Sequence, residues 1–505
     1  PSIQDLSQAG HQPMYSNDKR YSIIFNGEIY NFIELKKELE EKYTFKTKTD
    51  TEVILAAYKE WGEACLDRFN GDWAFVIYDN IKKEFFGARD RYGIKPFYYY
   101  LENEQLIFAS EIKAIIPLLE NRQPNDKLIY EYLVYNRTDQ SNETFFQNIF
   151  KLKHGHYFTI ANNQFETKQW YRLEDKLQNV NLSFDDYRKE VRSSIDLRLR
   201  SDVPVGVSLS GGIDSSTVTS IVNHDLGLKE IKTFSAVYGK DQWADESNFI
   251  DAYKKELSNM NFTTPSDKSF FKDFKSFIYA QGEPLASIGP YAQYKVMQLA
   301  KGNVVVTLDG QGADEMLAGY HYFFGGYFKE LISNLKFKTL SKEIYHYLVK
   351  HKSIYALKYL AFYLLPNSLK SNVGRKIYGN INNDFAEKWS KESTIGSDLY
   401  DPKSLNESLI QHFEYKLEHL LKWDDLNAMN FSIESRVPFL DHNLVEKTLS
   451  LPPGLKIKNA ETKYILRESV KDILPQKIYK RRDKKGFSTP SDQWFRSDSF
   501  KEYII

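Results

Sequence analysis

The sequence predicts an α/β fold with two differently built parts. Residues 1–160 alternate short β-rich runs with turns and contain few helical stretches, which predicts a sheet-rich domain. From residue 184 onward, strand and helix patterns alternate, as is typical of a doubly wound parallel sheet. Residues 161–183 are polar and rich in Asn and Gln, and we interpret them as an exit strand and linker. The predicted domains are therefore 1–160 and 184–505.

The first domain has six predicted strands and two predicted helices. The strands are 21–25, 73–78, 84–88, 96–101, 105–109 and 156–160, with turn pairs at 26–27, 70–71, 79–80 and 103–104. Helical spacing covers 28–42 and 51–61. Cys65 follows the second helix, and we interpret it as a small buried hydrophobic residue.

The second domain begins with an amphipathic helix over 184–200. Its predicted strands are 203–207, 231–237 and 304–308, and its next helices are 215–223 and 247–257. Residues 320–423 carry Tyr, Phe, Leu and Lys at helical spacing. This pattern favours core helices covered by lysine stems over a membrane-surface segment.

Length and charge exclude several classes of protein. The 505 residues allow two or more domains, and 42% hydrophobic with 27% charged residues is typical of a globular protein. Because 68 basic residues balance 68 acidic ones, charge gives no argument for a nucleic-acid or membrane partner. With one cysteine, no signal peptide and no predicted membrane span, we expect a cytoplasmic protein.

A predicted phosphate cradle occupies 208–216, Ser-Leu-Ser-Gly-Gly-Ile-Asp-Ser-Ser, directly after a Val-rich strand. Adjacent glycines let backbone N–H groups approach an anion, and serine hydroxyls add donors. Asp214 can hold a metal that bridges phosphates. No lysine follows the glycines, so this is not a GxxxxGK[ST] loop. A plain glycine turn is the alternative, and the full set of serines and aspartate favours the cradle.

A second glycine-rich turn lies at 308–320, again after a Val-rich strand. Asp314 follows its glycines. Together with Asp214 it supplies a two-carboxylate site of the kind that Mg²⁺ takes, with phosphate and water completing the shell. A charged surface loop is the alternative.

Several blocks of sequence resemble glutamine-dependent asparagine synthetases. The synthetase half is matched by SGGIDSS, DGQGADEMLAGY, SIESRVPFLDH, ETKYILRE and RRDKKGFSTPSDQW. The glutaminase half is matched by DLSQAGHQPM, FNGEIYNF, TDTEVIL, FNGDWAFVIYD, RDRYGIKPFYY and FASEIKAI. The order and spacing agree over nearly the whole chain. The resemblance implies an αββα sandwich of the N-terminal-nucleophile class, truncated here, followed by an ATP-pyrophosphatase domain with added helices.

For glutamine hydrolysis, the resemblance implies that Asn26 and Gly27 donate to the oxyanion of the tetrahedral intermediate. A hairpin turn is the structural alternative for this pair. The resemblance implies that Glu28 and Asp50 hold the amino group of glutamine. The remaining glutamine-binding positions that it implies are Ser2 and Ile3, which match the end of the family's Arg-Leu-Ser-Ile segment.

The family's nucleophile, a cysteine at the mature N-terminus, is not in this sequence. The chain opens in mid-pattern at Pro1 without an initiator Met, and ends without a helix-stop signal. We interpret it as a trimmed sequence. A genuine deletion would leave an ammonia-dependent enzyme.

For the synthetase half, the resemblance implies pyrophosphate contacts at Ser210, Gly211, Gly212, Ser215 and Ser216. It makes Asp214 and Asp314 magnesium ligands, and places Leu209, Val237, Asp309 and Gly310 along the nucleotide. Lys463 would neutralise the α-phosphate and the leaving pyrophosphate, although a lone helical lysine is usually solvated. The basic run at 480–485 is interrupted by an acid and belongs to the family's tail.

Two positions depart from the family pattern. Gln311 stands near the reacting centre, where well-known members have glutamate. Leu426 replaces an arginine that could bind a substrate carboxylate through two hydrogen bonds. Both positions concern recognition of the acid.

The resemblance implies amidation of aspartate to asparagine through a β-aspartyl-adenylate, with ammonia from glutamine passing inside the protein. The cofactors would be ATP and Mg²⁺, the partners small molecules, and a homodimer is compatible with the sequence. Three alternatives stay open: amidation of a sugar acid or peptide, a ring-closing synthetase, and a non-catalytic paralogue. Ring closure needs no ammonia, so the glutamine pocket argues against it.

Overall fold

The computed structural model describes residues 3–102, 105–239, 242–366, 381–395, 401–483 and 488–504. Within these ranges the chain divides into two compact units. The first comprises the described parts of Pro1–Asn125, Ser141–Lys176 and Leu197–Pro204. The second comprises Asp126–Gln140, Leu177–Asp196 and the described part of Val205–Ile505.

The first unit contains two antiparallel sheets. Its strands are β1 (Met14–Tyr15), β2 (Tyr21–Ile29), β3 (Gly71–Asp79), β4 (Glu84–Arg89), β5 (Tyr98–Glu102), β6 (Gln105–Ala109), β7 (Ile149–Lys151), β8 (His156–Ala161) and β9 (Gln164–Gln169). One sheet has the order β1-β2-β3-β4-β8-β9 and the other β6-β5-β7. Helices α1 (Phe32–Leu39), α2 (Asp50–Trp61), α3 (Cys65–Arg68) and α4 (Ile112–Ile115) complete the unit.

Alternation along the strands arranges these elements in four layers. In β3, Trp73 and Phe75 pack on the side of α1 and α2, whereas Ala74 packs on the opposite side against the second sheet. In that second sheet Tyr98 faces away, toward α4. The order is helix, sheet, sheet, helix, so the predicted αββα architecture is confirmed.

The sequence prediction was wrong where β2 ends. Residues 26–29 pair with 71–74 of β3, so the predicted turn at 26–27 is extended strand, and at the predicted turn 70–71 the second residue already begins β3. For the same reason the helix predicted over 28–42 is limited to Phe32–Leu39, because the first of its residues are held in the ladder. The turn at 79–80 does follow β3. The turn predicted at 103–104 lies outside the described residues.

The second unit is built on a parallel sheet. Its strands are β10 (Val205–Ser208), β11 (Lys232–Ala236), β12 (Met260–Thr263), β13 (Val306–Leu308) and β14 (Glu434–Arg436), in the order β12-β11-β10-β13-β14. The predicted doubly wound sheet is confirmed, while β12 and β14 were not predicted. Because the strand order reverses at β10, a crevice opens at the carboxyl ends of β10 and β13. A short β15 (Ile457–Lys458) pairs with β16 (Glu461–Thr462).

The helices that follow the first unit are α5 (Asp126–Tyr135), α6 (Phe184–Arg198), α7 (Ile213–Ser220), α8 (Ser247–Ile250), α9 (Asp267–Gln281), α10 (Pro290–Ala300), α11 (Ala313–Met316), α12 (Phe323–Ser333), α13 (Phe337–His351), α14 (Tyr355–Leu364), α15 (Asn383–Ser390), α16 (Leu405–Tyr415), α17 (Leu417–Asn430), α18 (His442–Ser450), α19 (Pro453–Lys456), α20 (Tyr464–Ser469), α21 (Gln476–Tyr479), α22 (Ser491–Trp494) and α23 (Asp498–Ile504). The helix predicted over 247–257 is shorter, because a 3-10 turn replaces its second half. Buried aromatic residues of α12, such as Phe324 and Phe328, fit the predicted core helices after residue 320, whereas α13 and α14 expose Tyr345, Tyr355 and Leu364.

Within the described residues, no helix combines the length and the apolar character needed to cross a membrane. Cys65 is buried at the start of α3, and burial raises the pKa of its thiol. The interpretation of this cysteine as a small buried hydrophobic residue is confirmed.

Candidate functional site

The predicted phosphate cradle connects β10 to α7. Gly211 adopts a φ of +72°, and a Cβ atom on it would lie 2.8 Å from the Cβ of Phe249, so only glycine fits. Gly212 caps α7 without a side-chain hydrogen bond. The backbone N–H groups that begin α7 are therefore directed into the crevice, where a helix N-terminus favours an anion.

Serine hydroxyls line the same turn. The Oγ atoms of Ser210 and Ser215 lie 3.0 Å apart, and the backbone N–H of Ser210 donates to Ser215 Oγ at 3.1 Å. Ser216 Oγ is buried and contacts no hydrogen-bond partner within the described part of the chain. A buried hydroxyl without a partner is costly, which suits a group that binds a phosphate oxygen.

Lys463 joins the two carboxylates that the sequence predicts as metal ligands. Its Nζ lies 2.6 and 2.7 Å from the two oxygens of Asp214 and 2.6 Å from Oδ1 of Asp314. All three side chains are buried, with exposed fractions of 4%, 11% and 7%. A Cβ on Gly319 would lie 1.8 Å from Asp314 Oδ1, so this glycine makes room for the pair.

The Lys463 ammonium occupies the position between two carboxylates where a metal cation could bind. Mg²⁺ is typically held by one or two carboxylates and completes its shell with phosphate and water. The described residues contain no group of three or more His, Cys, Asp or Glu side chains that could hold a metal ion, so a metal at these two carboxylates would need further ligands. The donor set of Asp214 and Asp314 therefore fits Mg²⁺ bound together with phosphates.

A cavity of about 340 Å³ lies over the cradle. The predicted residues that line it are Ser210, Gly212, Asp214, Ser215, Asp309, Gly310, Gln311, Asp314 and Lys463. A smaller, mostly apolar cavity adjoins it through Ser208, Ser210 and Glu246, and Leu209 lines that one. Gly211, Ser216 and Val237 are not among the lining residues of either, although Ala236 and Tyr238 beside Val237 line the smaller one.

Two residues at the end of β13 shape the floor of the larger cavity. A Cβ on Gly310 would lie 2.7 Å from the backbone N of Ser215, so the glycine permits close approach of the two turns. Asp309 accepts hydrogen bonds from Thr307 and from Ser435 Oγ at 2.8 Å. Burial raises the pKa of Asp309, because the charged form has lost water.

Gln311 and Leu426 have different positions. Gln311 lines the cavity, and neither its amide oxygen nor its amide nitrogen has a hydrogen-bond partner within the described ranges. Leu426 is buried in α17 and is not a lining residue. Of the two departures from the family pattern, Gln311 is therefore the one that lines the cavity.

Sequence reasoning missed Arg481. Its buried guanidinium donates to the carbonyl oxygen of Gly211 at 2.9 Å, pairs with Glu246 and lies 4.0 Å above the ring of Phe249. Arg481 thus holds the backbone of the cradle at Gly211, and it also lines the cavity. The sequence signal for Arg481 is its place at the start of the block RRDKKGFSTPSDQW.

Histidines were also missed. His321 and His351 line the cavity with ring centroids 4.8 Å apart. Burial lowers the pKa of both, so the rings are neutral at neutral pH.

The predicted glutamine-binding residues lie on β2 and at the start of α2. Asn26 lines a separate cavity of about 160 Å³ and donates to Ser110 Oγ at 3.3 Å. Glu28, two residues along the strand, is on the same face. Asp50 accepts a hydrogen bond from the backbone N–H of Ile29 at 2.8 Å. Its carboxylate therefore lies beside the residue that follows Glu28 in the chain.

Gly27 lies inside the strand at a φ of +140°, where a Cβ would approach the carbonyl oxygen of Asp72 to 2.0 Å. Ile3 is buried, and Ser2 lies outside the described residues. The structure thus brings Asn26, Gly27, Glu28 and Asp50 to one region of the first unit.

Asp72 lies opposite Glu28 in the β2–β3 ladder and is fully buried. Tyr30 donates to Oδ2 at 2.9 Å, and Arg198 lies 3.8 Å from Oδ1. Burial outweighs these contacts and raises the pKa of Asp72 to about 6.

We expect Asp72→Asn to change how stability depends on pH. Between about pH 4 and pH 6 the folded wild type keeps a proton that the unfolded chain has released, so its stability falls as pH rises. Over this pH range the free energy of unfolding of the wild type falls by about 3 kcal/mol relative to that of the variant. Urea unfolding of both proteins at several pH values measures it, and a difference that stays constant with pH contradicts the assignment.

Comparison with known proteins gives two adjacent family matches. Residues 1–171 match the family of glutamine amidotransferase domains, and residues 186–504 match the asparagine synthase family. The second match covers more than half of the chain. The chain belongs to the asparagine synthase family.

Relatives of this asparagine synthase family member include asparagine synthetase [glutamine-hydrolyzing] 1 of Bacillus subtilis. It is 31% identical over 525 residues, which cover 98% of this chain and 80% of the relative. Asparagine synthetase [glutamine-hydrolyzing] 3 of the same organism is 28% identical over 94% of this chain and 77% of its own length. Amidase chry2 of Gibberella zeae is 26% identical over 98% of this chain and 80% of its own length. The two family domains make this chain a ligase for glutamine-dependent amidation.

Proposed function

We propose that this asparagine synthase family member converts aspartate to asparagine through a β-aspartyl-adenylate, using ATP, Mg²⁺ and ammonia from glutamine. The observation that carries the proposal is the meeting of the cradle, Asp214, Asp314 and Lys463 in one cavity. A triphosphate, a divalent cation and a lysine suit a reaction in which pyrophosphate leaves. The names of the Bacillus subtilis relatives support aspartate as the acid.

In the first half-reaction, a carboxylate oxygen of the acid attacks the α-phosphorus of ATP. The bond from that phosphorus to the bridging oxygen breaks, and pyrophosphate leaves with its electron pair. The cradle N–H groups and the hydroxyls of Ser210 and Ser215, which line the cavity, bind the leaving oxygens. Asp214 and Asp314 would hold Mg²⁺, which when bound supplies charge neutralisation to the phosphates.

Lys463 has to give up part of its contact with the two carboxylates when the nucleotide binds. Its Nζ lies between them, so Mg²⁺ held by Asp214 and Asp314 would compete with the ammonium for the same oxygens. A flexible lysine stem allows the ammonium to move to the α-phosphate, the role that the family resemblance implies.

In the second half-reaction, ammonia attacks the acyl carbon, AMP leaves and one proton is released. The ammonia comes from glutamine, which water converts to glutamate in the first unit. There, Asn26 and Gly27 are the proposed donors to the oxyanion, and Glu28 and Asp50 the proposed partners of the glutamine amino group. Exclusion of water from the cavity protects the adenylate from hydrolysis.

Amidation of a different carboxylic acid is the second candidate, because Gln311 presents a neutral amide to the cavity and one relative is named an amidase. A panel of acids, with ATP and ammonium as co-substrates, distinguishes the two. We expect aspartate to give AMP, pyrophosphate and asparagine in equal amounts. Pyrophosphate release with another acid and none with aspartate would overturn asparagine synthesis while retaining the adenylating site.

A further inference from the structure

Residues Asp126–Gln140 belong to the second unit, although the chain on both sides of them belongs to the first. We call this segment the arm. Asn125 before the arm and Ser141 after it both lie in the first unit. The arm consists of α5 and the five residues that follow it. Its Tyr130 and Val134 are buried against Ala386 of α15. The arm is therefore packed into the synthetase unit, although the amidotransferase family match covers its sequence.

The arm holds the loop that precedes α10. Tyr132 Oη donates to the carbonyl oxygen of Leu285 at 2.7 Å, and Asn136 Nδ2 donates to that of Ala286 at 3.2 Å. This loop has no regular secondary structure of its own. The residues that follow these two carbonyls, Ser287 and Gly289, line the large cavity.

The arm also holds the start of α17. Thr138 Oγ1 lies 2.9 Å from Nδ1 of His419, a cavity-lining residue. Lys422 binds Asp139 of the arm at 3.1 Å and Glu283 at 2.6 Å. These three charged side chains have exposed fractions of 9%, 3% and 3%, so the ion pairs are inside the unit, where breaking them is costly.

The wall that the arm supports is not part of the cradle. Phosphates are expected at the cradle, and the family resemblance places Leu209, which lines the smaller cavity, along the nucleotide. The remaining lining residues of the large cavity include Ser287, Pro290, His419, Leu420 and Trp423. Because the attacking carboxylate must reach the α-phosphate from outside the triphosphate, a wall of this cavity beyond the cradle has to hold the rest of the acid.

We propose that the arm positions the acid-binding wall of the synthetase, and that Thr138 does so through His419. This inference rests on the proposed function, since it needs an acid that is adenylated. The arm residues do not contact the substrate; they fix the loop at 285–289 and the first turns of α17, which do. Loosening the arm therefore weakens binding of the acid and leaves binding of ATP unchanged.

Thr138→Val tests the inference, with Thr138→Ser as the matched control that keeps the hydroxyl. The valine variant is expected to raise KM for the acid about tenfold, the usual effect of one lost positioning hydrogen bond, with KM for ATP unchanged. The serine variant should behave like the wild type. An unchanged KM for the acid, or an equal rise in both KM values, would overturn the proposal.

Hydrogen exchange provides a readout that needs no turnover. In Thr138→Val combined with Tyr132→Phe, amides at 285–289 should exchange faster than in the wild type, while those at 210–216 stay the same. Equal exchange at 285–289 would overturn the role of the arm. If no acid supports pyrophosphate release by the wild type, the proposed function fails, and the exchange result still decides about the arm.

Discussion

Replacing Asp214 with asparagine is expected to lower acid-dependent pyrophosphate release by at least about a thousandfold. The carboxylate is one of two that fit Mg²⁺, and it lies within the first turn of α7, beside the cradle. An amide of the same size removes its charge and keeps the shape. Pyrophosphate release in a coupled assay measures the effect.

Asp251→Asn is the matched control for this substitution. Asp251 lies on the surface of the same unit, 42% exposed, and pairs with Lys254 three residues on. A surface ion pair of this kind contributes little to stability, so the control should retain wild-type turnover. Unchanged turnover in Asp214→Asn would exclude Asp214 as a metal ligand.

Replacing Lys463 with methionine is expected to remove adenylation and also to destabilise the second unit. Two buried carboxylates lose the ammonium that contacts both of them, and the free energy of unfolding in metal-free buffer should fall by about 3 kcal/mol. Millimolar Mg²⁺ should restore part of this loss, because the cation can then enter between Asp214 and Asp314. Thermal unfolding with and without Mg²⁺ measures both effects.

The wild type should respond much less to Mg²⁺ alone, since Lys463 already occupies the position between the carboxylates. Lys447→Met serves as the control, because Lys447 is 40% exposed and pairs with Glu190 on the surface. A Lys463→Met variant that is as stable as the wild type, or that ignores Mg²⁺, would contradict the competition between ammonium and metal.

The sequence predicted best the parts of the site that are contiguous in the chain. The cradle at 208–216 is a local arrangement of glycines, serines and one aspartate, and the strand before it was visible from its apolar run. The glycine-rich turn at 308–320 pointed to Asp314, and the family resemblance then identified Lys463. That Lys463 lies between the two carboxylates is a contact across 249 residues from Asp214, and no local pattern encodes it.

The prediction failed where long-range pairing decided the structure. Asn26 and Gly27 have the residue types of a hairpin turn, but pairing with β3 extends them. The arm was missed because its sequence lies within the first domain's range, whereas its buried residues pack in the second unit. Arg481 was assigned to a tail because its partner Gly211 is distant in sequence.

A carboxylate of the acid is expected to attack the α-phosphorus of ATP in the cavity above the cradle. Turnover of aspartate labelled with ¹⁸O in its β-carboxylate, with ammonium and Mg-ATP, shows which bond is formed. Mass spectrometry of the products should find one ¹⁸O atom in each AMP and none in the pyrophosphate. Label in inorganic phosphate, accompanied by ADP, would show an acyl phosphate instead and would contradict the adenylate.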